Sequence, residues 1–461
     1  MQEEKYATAF TETQRSVPKL RRECSLTKTK RVMWLVCLFL LISSGMIRAE
    51  RPASFQDDYR LKEMVILSRH NIRSPLSGNG SALQDLTSHT WFRWTSAPSE
   101  LSLRGGQLET MMGQYFRQRL VADNLMTENY LPKEGEVRFY ANSMQRTIAT
   151  AQYFSSGMLP VANVKIEHKF APGKMDPVFN PQLTFVSNTF RTEAMKQISA
   201  MGGNKGLQGI NEELSKEYRL LEKVLDLKDS PAAKKRGMDR FRPDDLEILL
   251  KVNKEPGLRG SLKLATSASD ALVLQYYEEA DPVKAGFGHK LSLKKWEQIA
   301  RIKDVYGDVL FTAPVVAVNV AHPLLKVMSE ELSLRGRKFT FLCGHDSNIA
   351  SVLAALDVED YSLPRSIEKK TPIGSKLVIE KFAGKDGNEY AALSLVYQTT
   401  EQLRNRSALT LENPPAVFPL KLKGLKANPD GLYLLEDLQQ RFAKAISAYD
   451  ELHGETLAPA A

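Results

Sequence analysis

Residues 64–76 read MVILSRHNIRSPL, and the fold follows from how this stretch changes character midway. Met64–Ser68 is a short apolar run. Arg69-His70-Asn71-Ile72-Arg73-Ser74-Pro75 is a polar turn whose exit Pro75 stiffens by fixing its φ. Apolar runs of four to six residues bounded by polar turns read as buried strands. The same change recurs twice. Val137–Tyr140 (VRFY) leads into Ala141-Asn142-Ser143-Met144-Gln145-Arg146 and then a helical stretch to Phe154. Phe339–Cys343 (FTFLC) ends at Gly344-His345-Asp346-Ser347-Asn348, followed by the helix former Ile349–Leu356. Units of this kind build a mostly parallel sheet with flanking helices, an α/β fold. Ligands of open α/β sheets bind beyond the carboxyl ends of the strands, so all three polar clusters are expected on one sheet edge.

Working outward, Arg104–Leu120 carries Leu108, Met111, Met112, Tyr115, Phe116 and Leu120 near helical spacing. From residue 172 the strand signal fades. Thr192–Met201, Asn211–Leu227 and Ser267–Glu279 read as helices, separated by breaks at Gly202-Gly203, Pro231 and Pro256-Gly257. Late strands follow at Lys376–Lys381 and Ala391–Gln398. The expected organisation is a leader at 1–49, an α/β domain in two parts (50–171 and 296–461), and an inserted helical subdomain at 172–295.

The chain has 63 Lys+Arg against 54 Asp+Glu, a formal charge of +9, but residues 1–49 alone hold nine basic and four acidic residues. Beyond them the balance is only mildly positive and no Lys/Arg block stands out. That gives nucleic acid no footing as a partner and suits a small anionic substrate. Lys28, Lys30 and Arg31 precede the apolar run Val32–Ile42, then Ser43, Ser44 and Gly45, with Ala49 just beyond. This is the layout of a secretory signal peptide. The run is shorter than the roughly 20 residues a bilayer span needs. A periplasmic or secreted protein is therefore expected, touching a membrane only through a retained leader. Cys24 and Cys37 fall in or before the leader, so the mature chain would keep Cys343 alone and form no internal disulfide. Cys343 reads as a small buried hydrophobe, and no Cys/His group has zinc-ligand spacing. The sequence is silent on oligomeric state.

The polar turns carry the chemistry. Guanidinium groups match phosphate oxygens bidentately, so Arg69 and Arg73 in one turn make an oxyanion cradle. An imidazole between them is pushed away from its charged form, and a neutral His70 is a usable nucleophile. By itself the stretch also fits a basic surface turn. His345 can donate to a phosphoryl oxygen, and Asp346 can protonate a departing alkoxide. An isolated His-Asp pair is weak evidence, and Arg146 alone could be a helix-surface arginine. Three such groups beyond three strands are much stronger together.

Arg69-His70-x-x-Arg73-x-Pro75 and His345-Asp346 resemble the two signature motifs of the histidine acid phosphatases, a family of the histidine phosphatase superfamily. Arg146 matches that family's third phosphate-binding arginine. The resemblance runs in order through SRHNIRSPL (68–76), YANSMQRTIATAQYF (140–154), MDPVFNP (175–181), LLEK (220–223), KDSPA (228–232), QYYE (275–278), GHDSNIASVLAALD (344–357), TPIG (371–374) and EQLRN (401–405). It implies a phosphoglycerate-mutase-like core and a phosphomonoesterase using no metal or cofactor. It further implies His70 as the nucleophile of a phosphohistidine intermediate and Asp346 as proton donor. Arg69, Arg73, Arg146 and His345 would hold the phosphate, and Glu222 in LLEK would line the substrate site unless it is simply a solvated helix residue. The expected substrates are sugar phosphates, glucose 1-phosphate foremost, with inositol phosphates as the alternative. A phospho-sugar receptor would fit loss of His70 or Asp346, yet both are present. Two departures stand out: Asn71 where the wider family has Gly, and Cys343 before the Gly-His-Asp turn.

Overall fold

The sheet grows from β1 (Tyr59–Arg69), in which Met64, Val65, Ile66 and Leu67 are all fully buried and present side chains to both faces. In the computed structural model, which describes residues 54–76 and 82–457, β1 lies parallel to a strand far along the chain, with Met64 opposite Phe339. The expected leader, with Cys24 and Cys37, lies outside the described residues. The remaining strands are β2 (Val137–Ala141), β3 (Ile166–Glu167), β4 (Phe339–Gly344), β5 (Lys376–Gly384), β6 (Glu389–Tyr397), β7 (Ala416–Pro419) and β8 (Tyr433–Leu434). Their order across the sheet is β8-β6-β5-β1-β4-β2-β3, with β7 also pairing β6.

The α/β class is as expected, but parallel pairing is confined to one half. β1–β4, β4–β2 and β2–β3 are parallel; β1–β5, β5–β6, β6–β7 and β6–β8 are antiparallel. The cause lies in the connections. Only residues 385–388 link β5 to β6, with Gly387 at φ +88 in the turn. A parallel crossover needs a dozen residues or more, so this link can only make a hairpin.

Two helices cover one face: α1 (Leu103–Ala122) and α2 (Gln145–Met158). Ser102 caps α1 by accepting from the Gly105 N–H. The two helices cross closely because Gly113 and Gly157 face each other's backbone; a Cβ on Gly113 would fall 2.1 Å from Phe154 O. Phe154 stacks on Phe341 of β4 with ring centroids 4.3 Å apart, tying the pair to the sheet.

Residues 172–295 are largely helical. Their main helices are α3 (Asn188–Ala200), α4 (Ser215–Leu225) and α5 (Ser261–Glu278); a small hairpin, Glu247–Leu249 with Gly257–Arg259, lies between α4 and α5. The single helix expected over 211–227 is two, Gly206–Glu213 and Ser215–Leu225, meeting at the fully buried Leu214. These helices share one apolar core with α6 (Leu293–Phe311) and α7 (Pro314–Ser333), in which Trp296 stacks on Tyr276 at 4.1 Å. α8 (Asp346–Ala355) and α9 (Leu435–Leu457) pack on α7. Among the described residues no single helix is long and apolar enough to cross a membrane.

Candidate active site

Register brings the three polar turns together. β1 pairs with β4 so that Arg69 stands opposite Gly344, and β2 pairs with β4 so that Ala141 stands opposite Cys343. His70, His345 and Asn142 are therefore the first residues beyond three adjacent strands. The backbone seals them there: His70 N–H donates to Gly344 O at 3.1 Å and Asn142 N–H to Cys343 O at 2.9 Å. Gly105 lets the start of α1 lie against this turn, since a Cβ there would come within 2.3 Å of Ile72 O.

His70 is buried, and its Nδ1 lies 2.8 Å from the Asn71 carbonyl. A carbonyl only accepts, so Nδ1 carries the proton and Nε2 keeps a free lone pair. Burial holds the ring well below the ordinary histidine pKa, and the charges of Arg146, Arg73 and Arg69 push it lower. Behind it, Asn71 Nδ2 donates to Glu109 at 2.7 Å, and Glu109 is paired with Lys376 at 2.5 Å in full burial. Lys376 also donates to Ser68 Oγ and Gly374 O. The asparagine at position 71 thus anchors the turn to a buried ion pair.

The three arginines share one feature. Arg69 gives Nη1 to Glu368 (2.7 Å) and to Thr371 O (2.6 Å), and Arg73 gives Nη2 to Asp270 (3.0 Å). The Nε atoms of Arg69, Arg73 and Arg146 are all buried with no hydrogen-bond partner among the described residues. A buried donor left unpaired costs about 1–3 kcal/mol, and three such donors belong to the arginines of the strand-end turns. Arg146 is pushed down to about 10 by burial and by Arg73. Such crowding of like charge is relieved when an anion binds.

His345 lies edge-on to His70, ring centroids 5.5 Å apart. Asn142 holds it: Asn142 Oδ1 accepts from Asp176 N–H at 2.9 Å, which turns Nδ2 toward His345 Nε2 at 2.7 Å. Burial and Arg146 depress His345 to about 3, so it stands neutral. Asp346 Oδ2 sits 2.7 Å from Lys303 Nζ and 3.5 Å from Arg69 Nη2. Burial raises this carboxyl, but Lys303 and Arg69 outweigh it and hold the group well below the usual carboxylate range.

These groups open onto a cavity of about 440 Å³ lined by His70, Arg73, Arg146, His345 and Asp346. Glu255, Asp270, Lys303 and Tyr306 are also among its lining residues. A second hollow of about 790 Å³ shares Asp304, Asp308, Lys370 and Thr371 with it but contains none of the strand-end groups. Glu222 is not in the cavity. It accepts from the Phe241 N–H at 2.7 Å, because its position on α4 turns the carboxylate toward that backbone. Glu255, at the tip of the small hairpin, does line the cavity, alongside Asp270 and Asp346, and is raised above the usual range by burial and by Asp346. Sequence reasoning missed Glu255, Lys303 and Glu368, which follow none of the sheet strands that carry the three polar turns. Asp270 had a signal, as the lone charge in the small-residue stretch of α5, 264–274.

Known proteins show the same pattern of likeness. The family model described as Histidine phosphatase superfamily (branch 2) matches residues 60–398. A glucose-1-phosphatase of Providencia rettgeri is 37% identical over 417 residues, covering 89% of this chain and 98% of that protein. The phytase AppA of Escherichia coli is 28% identical over 411 residues, covering 84% and 92%. The crystal structure of the Citrobacter braakii phytase superposes with a TM-score of 0.76 at 26% identity, covering 84% of this chain and 98% of that one. With its strand-end histidines and arginines gathered on one sheet edge, the chain belongs to branch 2 of the histidine phosphatase superfamily.

Proposed function

We propose that this phosphomonoesterase hydrolyses sugar phosphates, glucose 1-phosphate foremost, through a phosphohistidine on His70. The observation that carries the reading is the cavity itself. A neutral imidazole with a free Nε2 stands beside three arginines whose buried Nε–H groups have no protein acceptor among the described residues. Arg69, Arg73, Arg146 and His345 hold the phosphoryl oxygens while Nε2 attacks phosphorus in line. The ester bond breaks, and Asp346 delivers a proton to the leaving oxygen. Water then attacks the phosphohistidine with Asp346 accepting its proton, and phosphate leaves. No step calls on a metal, so activity should survive EDTA.

For the alcohol, Glu255 favours a sugar over a polyphosphate. A carboxylate in the cavity accepts sugar hydroxyls and repels further phosphate groups. The higher identity to the Providencia rettgeri glucose-1-phosphatase than to the Escherichia coli phytase supports the same choice. Residues 172–295, which supply Glu255 and Asp270, act as an insertion that completes the cavity of a phosphatase domain split into 50–171 and 296–461. The basic and apolar segment at 28–45 supports export to the periplasm or beyond. A substrate panel in metal-free buffer tests the specificity: glucose 1-phosphate should be turned over well ahead of phytate. A preference for phytate would defeat the sugar-phosphate assignment.

A further inference from the structure

Lys303, on α6, belongs to none of the strand-end turns, yet it makes the closest ionic contact of the Asp346 carboxylate. Its ammonium lies 2.7 Å from Asp346 Oδ2 and 3.7 Å from Glu368 Oε1. Arg69 Nη2 approaches the same Oδ2 at 3.5 Å, and Asp346 Oδ1 accepts from the Ser347 N–H at 3.0 Å. Both carboxylate oxygens therefore face donors, the surroundings of an ionised group and poor ones for a stored acid proton. The other groups acting on Asp346 are Arg146 on α2 and the rings of His70 and His345. Glu255 and Tyr306, which line the same cavity, also interact with it electrostatically, and Asp270 acts on Lys303 itself.

Resting on the phosphohistidine reading above, we infer that Lys303 is a positioning residue that keeps Asp346 ionised in the free enzyme. The proton given to the leaving alcohol therefore enters with the substrate, bound as its monoanion. The steps balance. The P–OH proton passes to Asp346 Oδ2, and His70 Nε2 forms the N–P bond as the ester P–O bond breaks. Asp346 then hands that proton to the leaving oxygen, so the alcohol departs neutral; the proton Asp346 next takes from the attacking water leaves with the phosphate as its monoanion, and Asp346 ends ionised as it began. Lys303 keeps its own proton throughout. Phosphate esters lose their second proton near pH 6, roughly, so the monoanion is the abundant form under acidic conditions.

The test is kcat/KM against pH for glucose 1-phosphate and its 2-deoxy-2-fluoro analogue, whose second phosphate pKa is lower. The alkaline limb should move down with the substrate's own pKa. In K303M the acid limb should move up by about one unit or more, because losing the ammonium lets Asp346 protonate more easily; K303R should restore it. An alkaline limb that stays fixed between the two substrates overturns the inference. So does an unmoved acid limb in a K303M protein with an unchanged thermal midpoint. If K303M fails to fold, the two-substrate comparison on the native enzyme decides alone. Alkaline quenching during turnover separates this from the parent reading: no phosphohistidine would sink that reading, whereas phosphohistidine with a fixed limb would sink only the role of Lys303.

Discussion

On one wall of the cavity, His70, Arg73, Arg146, His345 and Asp346 all stand within five residues past a strand end. The rest of the lining has another origin: Lys303 and Asp270 come from helices and Glu255 from a hairpin tip. The first wall is fixed by backbone register. Three parallel strands locked by hydrogen bonds bring His70 and His345 side by side, with ring centroids 5.5 Å apart. The second wall is fixed by side-chain packing of helices that share a core with α6 and α7. Chemistry should therefore be brittle at one end, and substrate choice adjustable at the other.

The largest effect belongs to the register-built wall. His70→Ala should lower kcat by about 10⁴-fold or more while circular dichroism stays native. The neighbouring His345 is no substitute, because its Nε2 lone pair is already taken by Asn142. Asp346→Asn comes next. It should slow glucose 1-phosphate by roughly 10²–10⁴-fold but p-nitrophenyl phosphate far less, because a phenolate leaves without much protonation. Equal losses on the two esters would break the division of labour between the walls. On the second wall, Glu255→Gln should leave p-nitrophenyl phosphate turnover nearly unchanged. It should narrow the preference for glucose 1-phosphate over phytate by about tenfold, or ~1.4 kcal/mol, measured as a ratio of kcat/KM. The smallest effect lies off both walls: Glu222→Ala should cost about 1 kcal/mol in a denaturant titration, the value of its bond to Phe241 N–H, with kinetics unchanged.

The same contrast separates the residues that are legible in the sequence from those that are not. A strand followed by a polar turn is a local pattern, and pairing of neighbouring strands aligns those turns whatever the intervening chain does. His70, Arg73, Arg146, His345 and Asp346 are legible for that reason. The direction of the late strands is written in the four residues 385–388, a link too short for a crossover. Lys303, Glu255 and Glu368 leave no comparable mark, because helical spacing tells which residues share a face but not which face meets a cavity. Glu222 lies on α4 with its carboxylate accepting from the Phe241 backbone N–H and outside the lining of the cavity, a placement its motif does not reveal. Asn71 works the other way, a departure from the family pattern that the buried Glu109–Lys376 pair accounts for.

The central claim is that the phosphoryl group passes through residue 70. Rapid mixing with ³²P-labelled glucose 1-phosphate, quenching in alkali to preserve phosphohistidine, and peptide mapping would follow it directly. The label should appear on the peptide carrying His70 within one turnover, decay as phosphate is released, and be missing from His70→Ala. Steady turnover with no label on that peptide, or with label on another residue, would contradict the account.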